Sequence, residues 1–242
     1  MNSADGSLFI ATHTGLYRTA PDEKKAKRVS DRYQDTMGFT IAGPDHFLRS
    51  GHPDARDLQT GTPPLLGLIE STDGGKTWKP ISLLGKADFH VLRTVDDRVY
   101  GYDATNARLM VSSDRGKTWT ERSPPGQVVD FLVEPGASGR LILAAGKELY
   151  TSEDDGATWE PIGFASGLLS WPTETGLYAV DPTGAVFASA DGGRSWTPPG
   201  RVSGEPAALV ADTELELYVA LHDGTVKASV DGGATWTVRS AP

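Results

Sequence analysis

Cysteine is absent from this chain, and its absence excludes four kinds of site. Without thiols there is no disulfide framework, thiolate zinc site, iron–sulfur cluster or cysteine nucleophile. Basic residues are also in the minority, because 23 Lys and Arg face 32 Asp and Glu for a formal charge of −9. Surfaces that bind nucleic acid gain affinity by neutralising phosphates. We therefore expect no nucleic-acid partner, and an anionic membrane surface is equally disfavoured.

Long apolar runs are missing as well. Runs such as Leu65–Ile69 and Leu141–Ala145 have the length of a single strand, far below the roughly 18 apolar residues that would span a bilayer. No membrane span is expected in this chain. Residues 1–6 also lack the basic and apolar regions that a secretory signal needs.

What the chain does contain is an internal repeat. The motif Ser-x-Asp-x-Gly-x-x-Trp occurs five times in 242 residues, and its aspartates follow one another at steps of 41, 40, 37 and 40 residues. Such regular spacing is typical of a repeat architecture. The Asp, Gly and Trp positions of the five copies are Asp73, Gly75 and Trp78; Asp114, Gly116 and Trp119; Asp154, Gly156 and Trp159; Asp191, Gly193 and Trp196; Asp231, Gly233 and Trp236.

Each repeat is interpreted as four short β segments, with alternating apolar residues between turn residues. Phe89–Val95 and Leu141–Ala145 are two of these predicted strands. A unit of about forty residues with four strands is the blade of a β-propeller. The sequence thus predicts an all-β fold, a single β-propeller domain over residues 1–242 with six four-stranded blades. The predicted blades cover approximately residues 5–31, 37–84, 87–124, 128–163, 166–199 and 205–240.

The first blade is expected to be incomplete. Its predicted strands are Ser7–Thr12, Gly15–Thr19 and Ala26–Ser30, and its innermost strand should precede Asp5. Too few residues stand there to form it, so we expect this chain to be a shortened version of a longer precursor.

The repeated motif itself is interpreted as structural. Glycine adopts backbone angles that other residues resist, and aspartate and serine side chains bond backbone amides in tight turns. The tryptophan is expected to pack under the turn, so the motif residues are not counted as ligand-binding groups.

On these motifs the chain resembles the Asp-box (BNR-repeat) β-propellers of the sialidase and glycosylhydrolase-like superfamily. The segments Ile10–Tyr17, Met37–Leu48 and Ser50–Pro53 are similar to small exported bacterial proteins labelled glycosylhydrolase or exo-α-sialidase-like. This resemblance implies an extracytoplasmic protein whose signal or lipoprotein segment is missing from this chain.

Candidate ligand residues were sought on loops that enter or leave the innermost strands, because propeller ligands bind over the central channel. Four of the five histidines fall in the first 90 residues, and an insertion from Arg49 to Pro64 interrupts the second blade. Insertions in repeat proteins often mark the binding face. The leading segment is Asp45–Asp57, and the ligand-binding candidates are Asp45, His46, Arg49, His52, Asp88, His90, Arg93 and Trp171.

Two chemistries fit these candidates. His46, His52 and His90 could supply nitrogen ligands to a divalent metal, although no compact ligand motif is present and no cofactor is evident. Alternatively, carboxylates and arginines beside Phe47 and Phe89 could bind a carbohydrate, with Trp171 as a sugar platform or as a simple core residue.

The favoured function is an exported bacterial propeller that binds a carbohydrate or protein ligand on its central face, as a monomer. A sialidase-like exo-acting glycoside hydrolase is the alternative. It requires converging arginines and a tyrosine nucleophile paired with a glutamate, and no such pair can be assigned. An envelope assembly or metal-handling factor is the third hypothesis. The arginines available to a sialidase are Arg18, Arg49, Arg93 and Arg140.

Overall fold

The computed structural model describes residues 1–136, 139–165 and 167–241. Position 166, where the fifth blade was predicted to begin, and position 242 lie outside the described residues. Contacts between Cα atoms divide the chain into two compact units, Met1–Ser123 and Pro124–Pro242. Each contains three antiparallel sheets. No helix in the described part of the chain is long and apolar enough to cross a membrane.

Unit one contains blades one to three and the helix of the insertion. Blade one has three strands, and blades two and three have four each, in the order of the chain. The elements are β1 (Leu8–Thr12), β2 (Gly15–Thr19), β3 (Lys27–Arg28), β4 (Asp35–Gly43), β5 (His46–His52), α1 (Ala55–Gln59), β6 (Leu68–Ser71), β7 (Lys79–Ser82), β8 (Phe89–Val95), β9 (Arg98–Asp103), β10 (Arg108–Ser112) and β11 (Thr120–Arg122).

Unit two contains blades four to six, each with four strands. The strands are β12 (Val128–Val133), β13 (Leu141–Ala145), β14 (Glu148–Ser152), β15 (Glu160–Ala165), β16 (Leu168–Thr173), β17 (Gly176–Val180), β18 (Ala185–Ser189), β19 (Thr197–Arg201), β20 (Pro206–Ala211), β21 (Leu217–Leu221), β22 (Val226–Ser229) and β23 (Thr237–Ser240).

The predicted fold class is confirmed: the protein is an all-β propeller with six blades, the first of which has three strands. The predicted strands Gly15–Thr19 and Phe89–Val95 have the bounds of β2 and β8. Outer strands are shorter or shifted, as in β3, which keeps only two of the five residues predicted for it.

The strands of blade one take the second to fourth positions of a blade. In blade three, a Cβ on Gly116 would meet Leu68 of the third strand of blade two at 2.1 Å. In blade two, a Cβ on Gly75 would meet Leu16 of β2 at 2.6 Å. Since the two glycines are equivalent, β2 is the third strand of its blade, and no strand among the described residues takes the first position.

The apolar core of each unit lies between successive blades. In unit one, Leu48 and Leu68 of blade two pack with Phe89, Leu92 and Met110 of blade three. In unit two, one cluster joins blades four and five and another joins blades five and six. Successive side chains of a strand point to opposite faces of the sheet, so within each unit a blade can pack against the blades on both of its faces.

The five Asp-boxes share one hydrogen-bond pattern. In the first, the Ser71 hydroxyl accepts from the Gly75 amide at 2.9 Å and donates to Asp73 at 2.8 Å. Asp73 also accepts from the Thr77 amide at 2.9 Å and from its hydroxyl at 2.6 Å. These bonds stabilise the ionised carboxylate and lower the pKa of Asp73 to about 2. The same lowering to about 2 recurs in the other boxes.

Candidate functional site

The leading segment Asp45–Asp57 does not form one site. β5 is antiparallel to β4, with Asp35 opposite His52 and Gly43 opposite His46. The two histidines are six positions apart on the strand, which corresponds to about 20 Å along β5. His46 therefore lies at the Asp-box end of blade two, and His52 lies at the end where the first strands begin. We call the latter the first-strand end of unit one.

At the first-strand end, two of the predicted histidines meet one predicted aspartate. The Nε2 atom of His90 lies 3.0 Å from Oδ2 of Asp88, and Nε2 of His52 lies 3.7 Å from the same oxygen. The Asp88 side chain is 8% exposed and each imidazole is 39% exposed. The buried carboxylate thus anchors His90, whereas His52 is held by the Pro64 carbonyl, 3.0 Å from its Nδ1, and both imidazoles remain open to solvent.

The position of Asp88 is fixed by its neighbours in the sheet. Its backbone amide donates to Asp103 at the end of β9, at 3.2 Å. The next amide, that of Phe89, donates to the hydroxyl of Ser50 in β5 at 3.0 Å. Blades two and three also approach closely here, because a Cβ on Gly38 would lie 2.4 Å from the Phe89 carbonyl oxygen. The strands that carry the cluster therefore have little freedom to move apart.

A second pair repeats the arrangement between blades one and two. Nδ1 of His13, in the turn between β1 and β2, lies 2.8 Å from Oδ1 of Asp35 at the start of β4. His13 is 78% exposed. Neither residue was among the candidates predicted from the sequence, although His13 is one of the early histidines. Asp35 follows the rule that selected Asp88, since it lies where a first strand begins. His13 lies in the turn between the strands at the second and third positions of blade one, which that rule does not cover.

The remaining members of the leading segment have structural contacts. Asp45 lies in the β4–β5 turn and accepts from the Asn2 side chain at 2.9 Å. His46 lies 2.7 Å from Glu70. Asp54 caps α1 by accepting from the amides of residues 56 and 57. This helix was not predicted from the sequence, although Asp54 after Pro53 is a recognisable N-cap.

The three histidines proposed as metal ligands are not brought together. His52 and His90 share Asp88, whereas His46 lies at the opposite end of β5. Within the described ranges, no group of three or more His, Cys, Asp or Glu residues could hold a metal ion. These residues offer no donor set for the divalent metal considered for them.

The predicted arginines differ in their surroundings. Arg49 lies inside β5 rather than in a loop, and is 2% exposed. Arg93 is half-buried on β8, where it donates to the Leu92 carbonyl at 2.9 Å. Arg18 pairs with Asp5 at 2.7 Å. Arg140 belongs to unit two, where it pairs with Glu134 at 2.8 Å. Four arginines are thus divided among four separate environments.

The aromatic candidates are core residues. Phe47 and Phe89 are fully buried, which corrects the suggestion that they contact a carbohydrate. Trp171 is 7% exposed and packs in the cluster between blades four and five. The burial of Trp171 therefore favours its interpretation as a core residue, because a sugar platform needs an open ring face.

Tyrosine–glutamate contacts occur in unit two. The hydroxyls of Tyr150 and Tyr218 bond Glu148 and Glu216, each two residues away on the same chain segment. Burial and the neighbouring carboxylate raise the pKa of both tyrosines. A nucleophile can be activated by a base placed beside it, and each of these carboxylates accepts from a phenol. The converging arginines are the part of the sialidase set that the described residues do not bring together.

Two short segments match known repeat families. Residues 109–122 match the BNR-Asp box repeat, and residues 69–80 match the BNR/Asp-box repeat. Among curated proteins, the dispase autolysis-inducing protein of Streptomyces mobaraensis is 28% identical over 163 residues, or 66% of this chain. The match spans 38% of that relative's own length.

Solved structures share the fold at low identity. A chain of a nidogen/laminin complex has a TM-score of 0.75 at 13% identity, covering 98% of this chain and 93% of that one. The GH74 xyloglucanase of Xanthomonas campestris has 0.61 at 18%, with coverages of 97% and 43%. YCF48 bound to D1 peptide has 0.57 at 17%, with coverages of 97% and 77%. Likeness at these identities shows the β-propeller fold alone.

Proposed function

We propose that this Asp-box β-propeller is a binding protein that takes a peptide or protein segment at the first-strand end of unit one. The observation that carries the proposal is the His52–Asp88–His90 cluster, together with the neighbouring His13–Asp35 pair. Both combine a held carboxylate with imidazoles that reach solvent.

The aspartates orient the imidazoles. When Nε2–H of a neutral His90 donates to Asp88, its Nδ1 becomes an acceptor, and when Nδ1–H of His13 donates to Asp35, its Nε2 becomes one. Each ring then presents an acceptor nitrogen outward. Ligands with N–H donors, such as the amides of an extended peptide, match that pattern.

Two observations favour binding over hydrolysis. The predicted sialidase arginines occupy separate environments, and the predicted aromatic sugar contacts are buried. The solved complex of YCF48 with D1 peptide adds support, because YCF48 shares this fold and binds a peptide. Glycoside hydrolysis is the alternative, and xyloglucanase shares only the fold.

The test is selection of peptides from a displayed library on the purified protein. We expect the selected peptides to lose most of their affinity for His90→Ala and His13→Ala. His46→Ala is the matched control, because that histidine also pairs with a carboxylate but lies at the other end of β5. Peptides that bind all three variants equally would contradict the proposed site.

The hydrolase alternative needs its own measurement. A panel of fluorogenic glycosides, sialosides included, is expected to show no turnover by the folded protein. Turnover that disappears in Asp88→Asn, while the melting temperature stays unchanged, would replace the binding proposal with an enzyme centred on the same cluster.

A further inference from the structure

A cavity of about 560 Å³ lies in unit one, lined by residues other than those of the first-strand cluster. The segment that follows α1 forms one wall, and the outer strands of blade two form another. Its apolar lining includes Leu66, Ile69, Trp78 and Pro80, and its charged lining includes Arg32 and Lys76. Small-molecule sites in proteins commonly enclose 300–1,000 Å³ with mostly apolar walls and a few polar groups.

Arg49 lies directly behind this wall. Its Cζ atom is 4.2 Å from the centre of the Trp78 ring, which borders the cavity. It stands opposite Ile69, another lining residue, in the β5–β6 register. The side chain is 2% exposed, so its charge acts on the cavity with little screening by water.

No carboxylate neutralises Arg49 by direct contact in the described part of the chain. Its Nη1 reaches the Thr36 hydroxyl at 3.4 Å, whereas Nε and Nη2 have no hydrogen-bond partner there. Burial lowers the pKa of Arg49 to about 10, and the charge of Arg32 acts in the same direction. A buried cation left without a counter-charge is costly.

The nearest carboxylates are committed elsewhere. Asp57 pairs with Arg32 and accepts from Gln34 at 2.8 Å. Asp54 caps α1 and lies 3.2 Å from Nε of Arg32. The charge balance around the cavity is therefore positive by one, with Arg32, Lys76 and the buried Arg49 against Asp54 and Asp57. This is the reverse of the whole chain, whose formal charge is −9.

From this juxtaposition we propose that the cavity is a second binding site, for a small organic carboxylate with an apolar body. The carboxylate lies toward Arg32 and Lys76, and the charge of Arg49 acts on it from behind Trp78. The apolar body lies against Trp78, Pro80 and Leu66. This site is separate from the proposed peptide-binding surface, and neither depends on the other.

The experiment compares 2-naphthoate with its uncharged amide, 2-naphthamide, by isothermal titration calorimetry on the full chain. We expect 2-naphthoate to bind at least about tenfold more tightly than the amide, because the shape is shared and only the carboxylate is recognised. Arg49→Met keeps an unbranched apolar stem and removes the charge. It is expected to weaken naphthoate binding by about tenfold and leave the amide unaffected.

Arg56→Met is the matched control, because the same change falls on an exposed arginine of α1 that pairs with Asp31. It is expected to bind naphthoate as the unchanged protein does. Lys76→Gln provides a second variant at an exposed position. It leaves the Asp-box intact, because Lys76 bonds Asp73 through its backbone amide and not through its side chain. It is expected to weaken naphthoate binding severalfold, and it decides the question if Arg49→Met does not fold.

Equal affinity for the acid and the amide overturns the proposal, as does failure of naphthoate to bind. Naphthoate binding that survives both Arg49→Met and Lys76→Gln overturns it as well. Displacement of the library-selected peptides by naphthoate would overturn the separation of the two proposed sites.

Discussion

Units one and two are built from the same repeat but differ in regularity. Every blade of unit two has four strands and an Asp-box, and its core clusters are apolar. Unit one has a three-stranded blade without an Asp-box, and an insertion with its own helix. It also buries Arg49, Asp54, Asp88 and Asp103, whereas Asp130 is the buried charged residue in the described part of unit two.

The difference indicates how the chain separates stability from binding. Regular blades need only apolar packing and the hydrogen bonds of the Asp-box, which repeat at the same spacing. Buried charges cost stability unless each is paired. Asp54, Asp88 and Asp103 have basic partners, so it is the unneutralised Arg49 that points to a function. Both proposed sites lie where the repeat is broken.

The largest expected effect concerns the core of the regular unit. Leu217→Ala removes a fully buried side chain from the cluster between blades five and six. We expect a loss of about 2–5 kcal/mol in the free energy of unfolding. Leu215→Ala is the matched control, because Leu215 is 61% exposed two residues earlier. Urea unfolding measures both, and equal losses would contradict the assigned core.

The next effect tests whether the Asp-boxes of the two units are equivalent. Ser229→Ala leaves the Gly233 amide without the hydroxyl that accepts from it at 2.9 Å. The expected loss is about 1–3 kcal/mol, the cost of an unsatisfied buried donor. Ser112→Ala makes the same change in unit one, at 2.8 Å from Gly116. Urea unfolding again measures both, and clearly different losses would show that the units use their boxes differently.

Sequence reasoning predicted the regular parts of the fold more fully than the candidate site. The Asp-box repeats its residues at fixed spacing, so strands such as β8 and β13 followed from local pattern. The separation of His46 from His52 was predictable in principle, because β5 runs straight between them. The approach of His52 to Asp88 was not, since packing between two blades brings them together. The burial of Arg49 likewise depends on Trp78, which is distant in sequence.

A smaller effect concerns the insertion of unit one. Asp54→Ala removes the cap that accepts from the amides of Arg56 and Asp57 at 3.0 and 3.1 Å. We expect a loss of about 0.5–2 kcal/mol and weaker naphthoate binding, since Asp54 also holds Arg32. Asp31→Ala is the control, because it removes an exposed carboxylate that pairs with Arg56 of α1. If Asp54→Ala lowers the stability but leaves naphthoate binding unchanged, the helix cap does not contribute to the cavity.

The smallest expected effect is the pH dependence of a single Asp-box. Its hydrogen bonds lower the pKa of Asp231 to about 2, from about 4 in an unfolded chain. The carboxylate therefore stabilises the fold fully above pH 4, and that contribution disappears as the pH falls toward 2. Asp231→Asn should melt at a lower temperature than the unchanged protein at pH 5, and the gap should narrow steadily down to pH 2.

Asp114→Asn in unit one should follow the same curve, because its carboxylate has the same partners and a pKa lowered to the same value. A gap that stays constant with pH in either unit would mean that the asparagine disturbs the turn by its shape rather than by its charge. If the gap in melting temperature narrows in only one unit, the two boxes share their geometry but not the contribution of their carboxylates to stability.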